Sequence, residues 1–128
     1  MRRLLPLLML PAMLAACSRA PGEADSVAVI DRFHVALNAG DTTAIDGLLS
    51  QSTRNLRPGI GTARAFRAIS ARHGRYLDGR AASVTSADEH TSIDWQARYD
   101  RGPVSELFVL VNEAGAVKMD SYTDNAAP

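Results

Sequence analysis

Glu106, His34 and Tyr99 are the residues of this chain best equipped to move a proton. Glu106 interrupts the apolar run Val104–Asn112 (VSELFVLVN), and a carboxylate held out of water on the buried side of such a strand can serve as a base. It also stands two residues into the strand, near enough to a hairpin end to be an ordinary solvated acid. His34 falls among Val27, Ile30, Phe33 and Leu37, where an imidazole is either a second acid or base for the same cavity or a hydrogen-bonded core residue. His73 is placed to meet the carboxyl end of a helix and its dipole, and His90 sits in a turn. No His or Cys pair has zinc-site spacing, and Asp88 and Glu89 do not build a calcium loop. Serine nucleophile elbows and glycine-rich phosphate loops are absent. The expectation is a protein without metal or cofactor.

The single cysteine points to a different chemistry. Arg2 and Arg3 precede the apolar stretch Leu4–Ala16, which ends in Leu14, Ala15 and Ala16 just before Cys17. A charged start, an apolar middle and small residues at a cleavage point make a secretory signal peptide. The stretch is shorter than the roughly 20 apolar residues that span a bilayer, and Pro6 and Pro11 break it. The segment resembles the lipobox of bacterial lipoproteins. That resemblance implies a diacylglyceryl group on the Cys17 sulfur, removal of residues 1–16, and acylation of the new amino terminus. Two or more acyl chains anchor firmly because each buried methylene contributes about 0.8 kcal/mol. By the same resemblance, Ser18 in place of an aspartate implies the outer membrane of a two-membraned bacterium, facing the periplasm. Lipidation consumes the one cysteine, so no disulfide forms and stability rests on the core.

Residues 17–25 then read as the lipidated cysteine and a small, polar tether containing Pro21 and Gly22. Residues 26–124 form one domain and 125–128 a tail. The 112 residues left after the leader suffice for one core that buries roughly two thirds of the unfolded surface. Losing Arg2 and Arg3 leaves 12 basic and 14 acidic residues, a balance of −2, which gives no reason to expect nucleic acid as a partner. Charge is unevenly spread, because Arg54, Arg57, Arg64, Arg67, Arg72, Arg75 and Arg80 face only Asp78 in that stretch. Converging guanidiniums would suit anionic headgroups or an acidic partner; dispersed, they make a solvated face.

Three helices are expected to position the candidate residues. Ser26–Asn38 carries an apolar stripe, with Asp25 or Ser26 as cap and Gly40 as the left-handed stop. Asp41 caps a short second helix that turns Ile45, Leu48 and Leu49 inward, Ser50–Gly61 reads as a loop, and Thr62–His73 is the third helix. Four strands follow, at 80–87, 91–99, 104–112 and 117–123. With Arg101 and Gly102 at the centre of one hairpin, Tyr99 opposes Val104, Ala97 opposes Glu106, Trp95 opposes Phe108 and Ile93 opposes Leu110. With Ala114 and Gly115 at the centre of the next, Leu110 opposes Met119, Phe108 opposes Ser121 and Glu106 opposes Thr123. One face then collects Ile93, Trp95, Phe108, Leu110 and Met119 for the helices, and the other carries Leu107, Val109, Val111 and Tyr122. A one-residue slip would exchange the two sets.

The segment Phe33–Asp41 (FHVALNAGD), the following Leu48, Leu49 and Ser50, and the meander Phe108–Tyr122 (FVLVNEAGAVKMDSY) resemble a nuclear transport factor 2-like domain, also described as cystatin-like. The resemblance implies an α+β fold in which the three helices cover a curved four-stranded antiparallel sheet, a cone whose open end can hold a small molecule. From the residues themselves, the candidate pocket is an apolar layer of Trp95, Phe108 and Met119 beneath Tyr99, Glu106, Ser121 and Thr123, approached by His34. A filled core has the same composition. Two functions follow as expectations. One is a non-catalytic envelope module that binds a small apolar molecule or another envelope protein. The other, which the resemblance supplies, is a small isomerase, dehydratase or cyclase using Glu106 with His34. Leu107, Val109 and Tyr122 on the outer face would suit a homodimer contact.

Overall fold

A computed structural model describes residues 19–56 and 60–126. Cys17 and the leader lie outside the described residues. The elements run α1 (Glu23–Ala39), α2 (Thr42–Leu48), α3 (Gln51–Leu56), α4 (Ile60–His73), β1 (Tyr76–Ala87), β2 (His90–Tyr99), β3 (Gly102–Glu113) and β4 (Ala116–Ala126). The strands form one antiparallel meander in the order β1-β2-β3-β4, so the expected α+β architecture of helices followed by a four-stranded sheet is present. Among the described residues no helix is long and apolar enough to cross a membrane.

The helix α1 begins a turn earlier than its apolar stripe suggests, at Gly22, because the chain before it is held down. The Thr91 hydroxyl donates to the Pro21 carbonyl at 2.6 Å and the Asn112 amide to the Arg19 carbonyl at 2.6 Å. The described part of the expected tether therefore lies across the ends of β2 and β3, and Ser26, expected as a cap, is a buried helical residue. At its other end Gly40 is left-handed (φ 65°), and the Gly40 and Asp41 amides return to Leu37 and Ala36, a Schellman closure. Asp41 caps α2 as expected, accepting from the Ala44 amide at 3.0 Å. The expected loop Ser50–Gly61 contains the additional helix α3.

The β2–β3 hairpin turns one residue earlier than expected. Tyr99 opposes Gly102, Ala97 opposes Val104, Trp95 opposes Glu106 and Ile93 opposes Phe108, a shift of two positions from the sequence register. The cause lies outside the hairpin, in contacts with the α4 end of the chain. The Asp100 amide donates to the Arg75 carbonyl and the Arg101 amide to the His73 carbonyl, which fixes Asp100 and Arg101 as the turn. An even shift preserves the faces, so Ile93, Trp95, Ala97, Tyr99, Val104, Glu106, Phe108 and Leu110 are all buried.

At the β3–β4 hairpin, Ala114 and Gly115 form the turn with positive φ at both positions, the geometry of a two-residue type I′ connection. Leu110 opposes Met119 as expected, but Val109 then opposes Ser121, leaving Asp120 as an extra residue. This bulge is held from α3. Ser50 donates from its amide to the Met119 carbonyl (2.8 Å) and from its hydroxyl to the Asp120 carboxylate (2.7 Å), and the Thr53 hydroxyl donates to the Asp120 carbonyl (2.7 Å). Beyond the bulge the alternation inverts. Tyr122 opposes Phe108 and Asp124 opposes Glu106, while Ser121 and Thr123, expected inward, are exposed. Tyr122 consequently leaves the outer face, whose apolar content reduces to Leu107, Val109 and Val111 along β3.

Candidate functional site

Two features meet at the inward face of β3 and β4: a buried polar cluster around Glu106 and an open cleft behind Tyr122. The stripe of α1 that buries Val29, Ile30, Phe33 and Leu37 also buries His34, which is 2% exposed. Its Nε2 lies 2.8 Å from Glu106 Oε1. The Tyr99 hydroxyl donates to Glu106 Oε2 at 2.8 Å, and the Tyr122 hydroxyl donates to the same oxygen. Glu106 is 1% exposed, so the solvated alternative is excluded by geometry. An ionised carboxylate only accepts, and three convergent donors compensate for its loss of water.

Burial and the neighbouring Glu106 charge push the ionisation of the Tyr99 and Tyr122 hydroxyls far above the ordinary tyrosine range, so both remain donors. Tyr76 stacks on His34 with ring centroids 3.6 Å apart and planes 7° from parallel, and its hydroxyl accepts from Trp95 Nε1 at 3.2 Å. Burial raises the Tyr76 ionisation as well, partly offset by that bond. His34 Nδ1 is buried and has no hydrogen-bond partner among the described residues, so Nε2, set against Glu106, is the one ring nitrogen that is bonded.

One strand over, Asp124 lies opposite Glu106. Two carboxylates facing each other across a ladder repel, and each here has its own donors. Asp124 accepts from His73 Nε2 at 2.7 Å and from the Arg72 guanidinium at 3.0 and 2.8 Å. His90 makes a third such contact, 3.3 Å from Asp120. Each of the three histidines thus meets a carboxylate, and two of the three acids become partners only because the bulge places Asp120 and turns Asp124. Among the described residues no three His, Cys, Asp or Glu side chains gather as a metal site.

The cleft has a volume of about 420 Å³ and runs between α3, α4 and β4. Leu49, Phe66, Ile69 and Met119 give it apolar walls, Leu56 stands at it 82% exposed, and Arg72, Asp120, Tyr122 and Asp124 supply polar groups. Tyr122 separates it from the Glu106 cluster, with its ring against Phe33, Phe66 and Phe108 and its hydroxyl on Glu106. A shallower hollow of about 330 Å³ lies between the end of α1, α2 and α4. Neither is lined by Glu106 or His34.

Of the residues expected to make a pocket, His34, Trp95, Tyr99, Glu106 and Phe108 come together as the buried cluster. Met119 lines the cleft, Ser121 borders it from the exposed side of β4, and Thr123 joins neither. Tyr76, Tyr122, Asp124 and Arg72 are the functional candidates that sequence reasoning missed. For Tyr76 the available signal was Gly79: a Cβ there would stand 2.2 Å from Trp95 Nε1 and 2.8 Å from the Tyr76 hydroxyl, so glycine allows the two rings to meet. The described arginines of the 54–80 stretch are distributed over α3, α4, the link between α4 and β1, and β1, with Arg72 committed to Asp124 and Arg54 to Gln51.

No protein-family model and no curated protein matches the chain. Among solved structures it is similar to an NTF2-like protein of unknown function from Shewanella baltica, at 15% identity and a TM-score of 0.57, covering 81% of this chain and 94% of that one. An NTF2-like protein of unknown function from Cytophaga hutchinsonii is more distant, with 11% identity, a TM-score of 0.42, and coverage of 76% and 87%. A bacterial protein with a cystatin-like fold from Silicibacter pomeroyi gives 14%, 0.40, and coverage of 77% and 74%. The Shewanella likeness speaks to architecture alone, and with the meander and its helical cover it establishes that this chain has the NTF2-like fold.

Proposed function

We propose that this chain is an exported envelope protein, anchored through lipid on Cys17, whose domain binds a small, largely apolar molecule in the α3–α4–β4 cleft without transforming it. The observation that carries the reading is the cleft itself. A volume of about 420 Å³ with apolar walls and a few polar groups at Asp124, Arg72 and Tyr122 has the size and chemistry of small-molecule sites. Binding is favoured over catalysis because both oxygens of Glu106 are engaged by donors. Tyr122 also stands between that carboxylate and the cleft, so proton transfer by Glu106 would require Tyr122 to swing away.

Two measurements test the parts separately. Wild-type protein recovered from a bacterial envelope should partition into detergent and show a mass lacking residues 1–16 and carrying acyl groups, whereas Cys17→Ser should show neither; an unprocessed wild-type chain would refute the anchor. For the cleft, titration with the apolar fluorophore 1-anilinonaphthalene-8-sulfonate should saturate at one site per chain. Ala68→Trp, which fills the cleft from α4, should weaken that binding at least about tenfold, the effect of losing roughly 1.4 kcal/mol of contact. Equal binding by a folded Ala68→Trp variant would refute the site.

A further inference from the structure

The sheet has two edges, β1 and β4, and the fold treats them differently. Along β4, Leu49 bridges to Met119, the Ser50 amide bonds the Met119 carbonyl, and the Thr53 hydroxyl bonds the Asp120 carbonyl. Along β1, the Asn38 side chain makes both backbone hydrogen bonds of Tyr76, each at 2.9 Å. Past that point no element among the described residues pairs with the free edge. Uncovered edges template pairing with another strand, and proteins normally guard them with charge, proline or bulges. β1 has a bulge at Ala82, but the following Ser83–Ala87 (SVTSA) has neither charge nor proline, and all five residues are exposed.

We propose that this edge pairs antiparallel with the same segment of a second copy, about a two-fold axis within Ser83–Ala87, joining the two sheets into one. Charge selects this occupant. An antiparallel self-pairing sets the Arg80 end of each strand beside the Asp88–Glu89 turn of the other. These three residues are exposed and have no ion-pair partner among the described residues. At the axis no charge meets its own copy, and the exposed Val84 gains cover. A parallel pairing in register would instead set Arg80 against Arg80. Five paired residues are the length of an ordinary strand but a small interface, so the dimer is concentration-dependent.

The test uses the full chain in mild detergent, followed by sedimentation from roughly 5 to 500 μM, the span in which a small interface is read. The wild type should show a reversible monomer–dimer equilibrium. Thr85→Lys, which sets like charges at the axis, should weaken it at least about tenfold. Arg80→Glu should weaken it several-fold, and adding Glu89→Arg should restore it. Leu107→Lys, on the outer sheet face, should leave it unchanged. Trp95 fluorescence confirms that each variant is folded. A wild type that stays monomeric, a dimer indifferent to Thr85→Lys, loss through Leu107→Lys, or failure of the charge-swapped pair to recover would each overturn the proposal.

Discussion

Replacing Glu106 is the most revealing perturbation, because three donors, His34 and Tyr99 buried and Tyr122 half-buried, depend on one carboxylate. Glu106→Leu leaves His34 Nε2, the Tyr99 hydroxyl and the Tyr122 hydroxyl without their acceptor, and an orphaned buried group costs about 1–3 kcal/mol. The expected loss is about 4 kcal/mol or more, a large share of the roughly 5–15 kcal/mol that holds a domain folded. Glu106→Gln should cost only about 1–2 kcal/mol. Its carbonyl can still accept from both tyrosines, and its amide can donate to His34 Nε2 in the tautomer where that nitrogen accepts. Trp95, the single tryptophan and 4% exposed, reports urea unfolding by fluorescence. Removing the donors as well, through His34→Leu, Tyr99→Phe and Tyr122→Phe in the Glu106→Leu background, should recover stability, since buried polar clusters are often replaceable as a unit. A Glu106→Leu variant within about 1 kcal/mol of wild type, or a Glu106→Gln variant equally damaged, would refute the account.

Three further outcomes are expected. Tyr99 and Tyr122 ionise far above their ordinary range in the folded state. Below about pH 10 both states carry these protons; above it the unfolded chain releases them first, so stability is lost as pH rises, by about 1.4 kcal/mol per unit for each tyrosine. Urea midpoints at pH 8 to 11 check this, and a flat profile above pH 10 contradicts it. Gly79→Ala forces a Cβ to 2.2 Å from Trp95 Nε1 and 3.0 Å from the Gln96 carbonyl; it should destabilise by about 1–3 kcal/mol and shift the Trp95 emission. Asp124→Asn weakens the acceptor of Arg72 and His73 and should cost about 1–2 kcal/mol, with the His73 imidazole resonance moving in NMR while that of His90 stays.

The sequence by itself determined that helices precede a four-stranded meander, though not the helix α3, and it determined most of the core. The helical spacing of Ile30, Phe33, His34 and Leu37 placed that face of α1 inward, Gly40 and Asp41 marked the passage from α1 to α2, and Ala114 with Gly115 marked a hairpin. These signals are local: dihedral preference, capping and periodicity act within a few residues. The inward position of Glu106 was equally legible, because a two-residue error in the β2–β3 register cannot change a strand's face. The tertiary structure alone decided what surrounds Glu106. The bulge at Asp120 is held by Ser50 and Thr53, some seventy residues away in sequence, and that one extra residue exchanges Ser121 and Thr123 for Tyr122 and Asp124. Alternation along a strand propagates a single insertion to every later side chain, so a contact made by α3 sets the chemistry of the buried face of β4.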